Sequence, residues 1–161
     1  MIAFVVKFQD DSENPFNSVD KDFRMTDSIL ASVAGLPAFL SFFVLAILLV
    51  LLFCRFYSWV TPHDEFALIR ANNPAAAIAF VGALIGFALP LASAIEHSIS
   101  LADCAIWGAF ALVIQIATFL AVRLTVRQLP QRISNGEIAA GIFAAGCSIA
   151  VGLINAASMT F

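Results

Sequence analysis

Four transmembrane α-helices, paired as two tandem helical hairpins, are the fold the sequence predicts. Three observations predict it: 61% of the 161 residues are hydrophobic, only 12% are charged, and four long runs carry no charge at all. A soluble domain of this size has about twice that charged fraction. The runs are Ser28–Cys54, Ala71–Ile95, Cys104–Val122 and Ile138–Phe161. Each reaches the roughly 18–20 residues that cross about 30 Å of hydrocarbon as a helix. Inside lipid a chain must satisfy its own backbone hydrogen bonds, so each run is expected to be helical.

The first run is too long and too late for an ordinary signal peptide, and it lacks a basic n-region and a small-residue cleavage site. Residues 1–24 form an acidic tail unlike the rest, since six of the eleven acids lie before Ser28. The expectation is that Met25 is the natural start, which intact mass of the natively expressed protein decides. The remaining residues, 25–161, make the membrane domain, with spans near 29–54, 74–97, 103–124 and 137–159.

Four spans put both termini on one side. Loops 1 and 3 with their flanks hold Arg55, Arg70, Arg123, Arg127 and Arg132, whereas loop 2, from Glu96 to Asp103, holds no Lys or Arg. The positive-inside rule therefore expects loops 1 and 3 in the cytoplasm and both termini outside, with Lys21 and Arg24 in opposition. Tyr57, Trp59 and Trp107 stand where interfacial aromatics are expected. The net charge of −3 comes from the tail, and no basic patch suits nucleic acid. Cys54, Cys104 and Cys147 match no metal-binding spacing and are expected as small apolar residues. No metal or cofactor is expected.

The loops read as helix-capping devices. Thr61-Pro62-His63-Asp64 offers an N-cap Thr, a Pro at the first helical position and an acid beyond it. Ser100 to Asp103 and Ser134 to Glu137 have the same spacing, and Asn73-Pro74 offers a further start. A short interfacial helix is expected over about Pro62–Ala71.

A slide of about 64 residues aligns Ile69, Ala75, Ala76, Ile78, Gly82, Ile85, Leu89 and Ala92 with Ile133, Ala139, Ala140, Ile142, Gly146, Ile149, Leu153 and Ala156. Each unit is a two-span hairpin, so the duplication is a parallel repeat with its axis along the membrane normal. Spans 2 and 4 carry the small residues: Gly82 and Gly86 in one, Gly141, Gly146 and Gly152 in the other. Small residues let helix backbones approach closely. These five glycines are the expected packing residues, with spans 2 and 4 at the centre and spans 1 and 3 facing lipid more.

Several segments carry a family resemblance. They are Thr61-Pro62-His63-Asp64-Glu65, Leu68-Ile69, Asn72-Asn73-Pro74-Ala75-Ala76, Gly82-Ala83-Leu84-Ile85-Gly86 and Pro90-Leu91-Ala92-Ser93-Ala94. Trp107-Gly108, Ala139-Ala140-Gly141 and Asn155-Ala156-Ala157-Ser158-Met159-Thr160 continue them. From about Met25 to the end the chain resembles the YjfL-type bacterial inner-membrane family, the domain of unknown function 350. The resemblance implies tandem two-helix units, a bacterial inner membrane, and genomic company with phage-shock-like proteins and ligases resembling glutathionylspermidine synthase. It implies no activity and no site residues. The departures are the long tail and Ser158, where relatives often carry Cys.

No charge stands at the centre of any span, where it costs roughly 2.5–3.5 kcal/mol. That lowers the case for a proton or ion carrier. The polar candidates are milder: Gln115 in span 3, Pro90 breaking span 2 with Ser93 nearby, and Asn155 in span 4. They are interhelical contacts or the lining of a narrow polar path. Glu96 and His97 close span 2 at the outer interface as a candidate proton or metal pair. Neighbouring helix positions diverge by about 100°, so the two make no joint site unaided. No nucleophile motif, phosphate-cradling loop or HExxH appears, so an enzyme is not expected. Two functions are open. One is a non-enzymatic scaffold or partner-binding subunit of an envelope-stress system, homo-oligomeric in the bilayer, with a cytoplasmic phage-shock-like partner. The other is a small oligomeric pore or transporter subunit.

Overall fold

The computed structural model describes Leu30, residues 33–62 and residues 64–159. The acidic tail, Lys21, Arg24, Met25, the opening of the first run, His63 and Thr160 lie outside the described residues. The chain divides into two units after Leu40, and all packing below belongs to the second, Ser41–Phe161.

Six helices have both ends among the described residues, which hold no strands. They are α1 (Leu36–Val60), α2 (Glu65–Arg70), α3 (Pro74–His97), α4 (Leu101–Thr125), α5 (Leu129–Ser134) and α6 (Ile138–Ala157). Helices α1, α3, α4 and α6 have 25, 24, 25 and 20 residues and are apolar enough to cross a membrane. At 1.5 Å per residue they are about 30 to 38 Å long, enough for the hydrocarbon core. The expected all-α, four-span membrane fold is the observed one.

The helix starts differ from the expected capping scheme in two places. Helix α1 runs to Val60, and Thr61 Oγ1 donates back to the Tyr57 carbonyl at 3.0 Å. Thr61 therefore closes α1, and the N-cap of α2 is Asp64, whose Oδ1 accepts from Ala67 N–H at 3.0 Å. Ser134 likewise lies inside α5, where its hydroxyl donates to the Pro130 carbonyl at 2.9 Å. Glu137 takes the N-cap place of α6 without a side-chain cap and pairs instead with Arg132 Nε at 2.7 Å. The other two starts are as expected. Asn73 Oδ1 accepts from Ala76 N–H at 3.0 Å ahead of Pro74. Ser100 Oγ accepts from Asp103 N–H at 3.2 Å.

Helices α2 and α5 are both six residues long and end alike. Asn72 and Gly136 take left-handed backbone, with φ of 59° and 80°. Asn73 N–H then bonds back to the Leu68 carbonyl, and Glu137 N–H to the Arg132 carbonyl, each at 3.0 Å. This is the 6→1 closure of a Schellman turn, which favours Gly or Asn at the left-handed position.

The centre of the bundle is the α3–α6 contact, the most extensive in the molecule. The two helices run in the same direction and touch through backbone. A Cβ on Gly82 would collide with Ala145, and one on Gly152 with the backbone of Gly86. A Cβ on Gly141 would lie 2.5 Å from the Ala75 carbonyl oxygen. Gly146 is the exception among the five expected packing glycines: nothing stands within 4 Å of its Cβ position. Residues 141, 145, 148 and 152 follow the 3–4 spacing of one helix face, and 146 falls off it.

Span 3 is less peripheral than expected. Over an apolar 18-residue stretch of each span the buried share is 50% for α3, 39% for α4, 33% for α6 and 11% for α1. Helix α1 alone is the outlying span, held by side chains at a four-residue interval. Leu49 lies against Gly108, Phe53 stacks on Phe87 at 4.7 Å, and Tyr57 meets Phe119 and Phe80 edge-on at 5.2 and 5.8 Å. Tyr57 is thus a core residue, 2% exposed and turned into the bundle, whereas Trp59 two positions on is 72% exposed. The four-residue step puts Tyr57 on the inner face with Phe53, and Trp59 on the outer.

Candidate functional site

The polar residues expected within the spans do not gather at one place. Gln115 is buried in α4, and its Nε2 donates to two backbone carbonyls, Ala83 of α3 at 3.3 Å and Ser148 of α6 at 3.4 Å. Helix carbonyls can accept a second bond, so one amide ties three spans. Gly86 makes room for it, since a Cβ there would lie 2.5 Å from Gln115 Nε2 and would collide with the Ser148 carbonyl.

Pro90 is buried, and α3 continues through it from Pro74 to His97. The expected break in span 2 is therefore absent. Lacking an N–H, Pro90 cannot donate to the Gly86 carbonyl. Gly152 packs its Cα onto that same carbonyl, and an α-hydrogen is the group small enough to meet it. Close packing against α6 offsets the lost bond, so the helix does not open.

One turn on, Ser93 Oγ donates to the Ala156 carbonyl of α6 at 3.0 Å. Asn155 is half-buried and its side chain forms no hydrogen bond among the described residues. It lies seven residues, about 10 Å, beyond Ser148 along α6, so Gln115 and Asn155 do not converge. Glu96 and His97 are exposed, and His97 Nδ1 bonds the Ser93 carbonyl within its own helix at 2.8 Å. Among the described residues no group of three His, Cys, Asp or Glu side chains is placed to hold a metal. The cysteines are free and sit on three different spans. A shallow, open groove of about 450 Å³ runs between α4 and α6, lined by Ile114, Ala117, Thr118, Cys147 and Val151 among others. It opens on the flank of the bundle and is almost wholly apolar.

Two features escaped the sequence. Asn73, expected only as a cap, also donates through Nδ2 to the carbonyls of Ile133 and Ser134, each at 3.0 Å. It thereby clamps loop 1 to the end of α5. The second is Glu65, the only buried residue of α2 and 3% exposed. As a loop carboxylate it was no candidate. The residue 64 positions on, at the offset of the expected repeat, is Leu129, also buried.

A family model described as Domain of Unknown Function (DUF350) matches residues 31–159. The chain belongs to the DUF350 family. Within the curated relatives, the UPF0719 inner membrane protein YjfL of Escherichia coli strain K12 is 43% identical over 127 residues, 79% of this chain and 96% of its own. The protein of the same name in Escherichia coli O157:H7 matches equally. No solved structure matches. The family resemblance in the loop and span motifs is therefore borne out, and the four apolar helices make this member a multi-pass inner-membrane protein. The matched region takes in Asn73, Gln115, Ser93 and the α3–α6 glycines, so the site and fold described here lie inside the family domain.

Proposed function

We propose that this DUF350 member is a non-enzymatic inner-membrane scaffold, a partner-binding subunit of an envelope-stress system. The observation that carries this is the use made of Gln115 and Ser93. Their donors are bonded to backbone carbonyls across helix interfaces, at Ala83, Ser148 and Ala156. Such contacts hold helices together and line no path. Each is worth about 0.6 kcal/mol in a bilayer.

Loops 1 and 3 face the cytoplasm in this proposal and both termini face the periplasm, because the arginines fall on the loop 1 and loop 3 side. Arg55, Arg70, Arg123 and Arg127 are exposed there. They give a cytoplasmic partner an accessible basic surface, and the family resemblance suggests a phage-shock-like protein as that partner. The two hairpins, with their matching α2 and α5 turns, are read as a parallel duplication. Self-association is proposed for an outer face of the bundle, since Gly82, Gly86, Gly141 and Gly152 are occupied within one chain.

Affinity capture of the full chain in mild detergent tests the proposal. Enrichment of the phage-shock-like protein over an unrelated four-span protein is expected, with loss when Arg70 and Arg127 are changed together to Gln. Equal recovery on both baits contradicts it.

A further inference from the structure

Arg55 is the only charged residue of α1. The helix does not stop at it but runs on to Val60, so Arg55 stands about 7.5 Å inside the helix end. The inner face of α1 is Leu49, Phe53 and Tyr57. Arg55 lies on a different face, with Leu52, Phe56 and Trp59 at three- and four-residue spacing. All four are exposed, and together they line a cavity of about 330 Å³. No acidic side chain among the described residues pairs with Arg55.

We propose that this face binds an anionic phospholipid of the leaflet at the loop 1 end. Its phosphate meets the Arg55 guanidinium, its glycerol lies against the Trp59 ring, and an acyl chain follows Phe56 and Leu52. A charge on the outside of a span is costly in hydrocarbon, so a long cationic side chain turns towards the interface and its phosphates. A guanidinium is a planar fork of donors that meets two phosphate oxygens at once. An indole ring settles at the headgroup level, with its apolar body towards the chains and its N–H free to donate. Leu52, about one turn deeper than Arg55, offers apolar surface where the acyl chain begins.

Charge complementarity selects this occupant. A zwitterionic lipid brings the same phosphate together with a cation of its own, so it answers Arg55 less well. A second copy seated on this face about a two-fold axis would set one Arg55 beside another. One arginine near an anionic membrane surface is worth about a fivefold gain in affinity. The site is separate from the partner surface tested at Arg70 and Arg127, and it does not depend on the scaffold reading.

The chain has two tryptophans, Trp59 and Trp107, and so carries its own reporters. Trp107→Phe leaves Trp59 at the loop 1 end. Trp59→Phe leaves Trp107 in the loop 2 half of α4, and loop 2 holds no Lys or Arg. With the full chain in phosphatidylcholine vesicles, quenching of each tryptophan by brominated phosphatidylglycerol and by brominated phosphatidylcholine gives the ratio of the two affinities. At Trp59, phosphatidylglycerol is expected to bind about fivefold tighter. Arg55→Gln should bring that ratio below about twofold, and Arg123→Gln should leave it above. At Trp107 the ratio should stay below about twofold. A ratio below about twofold at Trp59 with Arg55 intact overturns the site. So does a ratio that stays above about twofold in Arg55→Gln, falls below it in Arg123→Gln, or is matched at Trp107. If neither lipid quenches Trp59, protein covers the face, and the proposal falls. If Arg55→Gln fails to insert, the comparison of Trp59 with Trp107 decides alone, since it leaves Arg55 in place.

Discussion

Gly152 of α6 rests on the Gly86 carbonyl of α3, the acceptor that Pro90 leaves without its helical donor. Backbone meets backbone there, so neither glycine can gain a methyl group unless the helices part. Gly152→Ala and Gly86→Ala are each expected to destabilise the bundle by about 1–3 kcal/mol, the usual cost of overpacking. Gly146→Ala should be neutral or stabilising by up to about 1 kcal/mol, because its Cβ meets nothing and Ala is the better helix former. Equilibrium unfolding in mixed micelles measures all three, and equal losses would contradict the interface.

Gln115 offers a different kind of test. Gln115→Leu removes two long hydrogen bonds and keeps the volume, so the expected loss is about 1 kcal/mol. Gln115→Glu sets a carboxylate against two carbonyl oxygens near mid-membrane, and the expected loss is at least about 2.5 kcal/mol. The same unfolding assay should rank Leu well above Glu. A Glu variant as stable as the Leu variant would show that water reaches this position.

Asn73 joins two jobs that substitution can separate. Asn73→Asp keeps the acceptor for Ala76 N–H and loses the donor to Ile133 and Ser134. Asn73→Ala loses both. A cap is worth about 1 kcal/mol. If the cross-loop bonds matter as much, Asp should be at least as damaging as Ala, since its carboxylate also faces two carbonyls. A fully stable Asp variant would mean that the cap is the whole contribution.

The Arg132–Glu137 pair, at 2.7 Å, has both side chains roughly 40% exposed. Glu137→Gln should shift stability by less than about 0.5 kcal/mol, and salt should erase the difference. A larger, salt-independent loss would mean that the pair is shielded by lipid or by a partner.

Much of this was legible in the sequence, for physical reasons. Charge-free runs of 19 or more residues leave a bilayer-spanning helix as the one economical solution, and Gly82, Gly86, Gly141 and Gly152 marked the closest approach. Gly146 was placed less well, because the expected repeat offset pairs it with Gly82 while its own helix turns it outward. That Tyr57 faces inward was not legible, because an aromatic near a helix end can turn to lipid or to the core and only the register of α1 decides. Thr61 and Ser134 misled because a hydroxyl at a helix end can cap the next helix or bond back into its own, and the sequence is the same either way. Asn73 and Glu65 were read locally, as cap and loop residues, although their partners lie elsewhere in the fold. The polar candidates themselves were found, but whether Gln115 lines a path or ties helices is a matter of which carbonyls stand within reach.

That last point is the centre of the account, and flux across a reconstituted bilayer tests it most directly. Liposomes carrying the full chain, challenged with proton, potassium and small-solute gradients, are expected to leak no faster than protein-free liposomes, with or without Gln115→Leu. A protein-dependent flux that Gln115→Leu abolishes would contradict the scaffold and make Gln115 part of a conducting path.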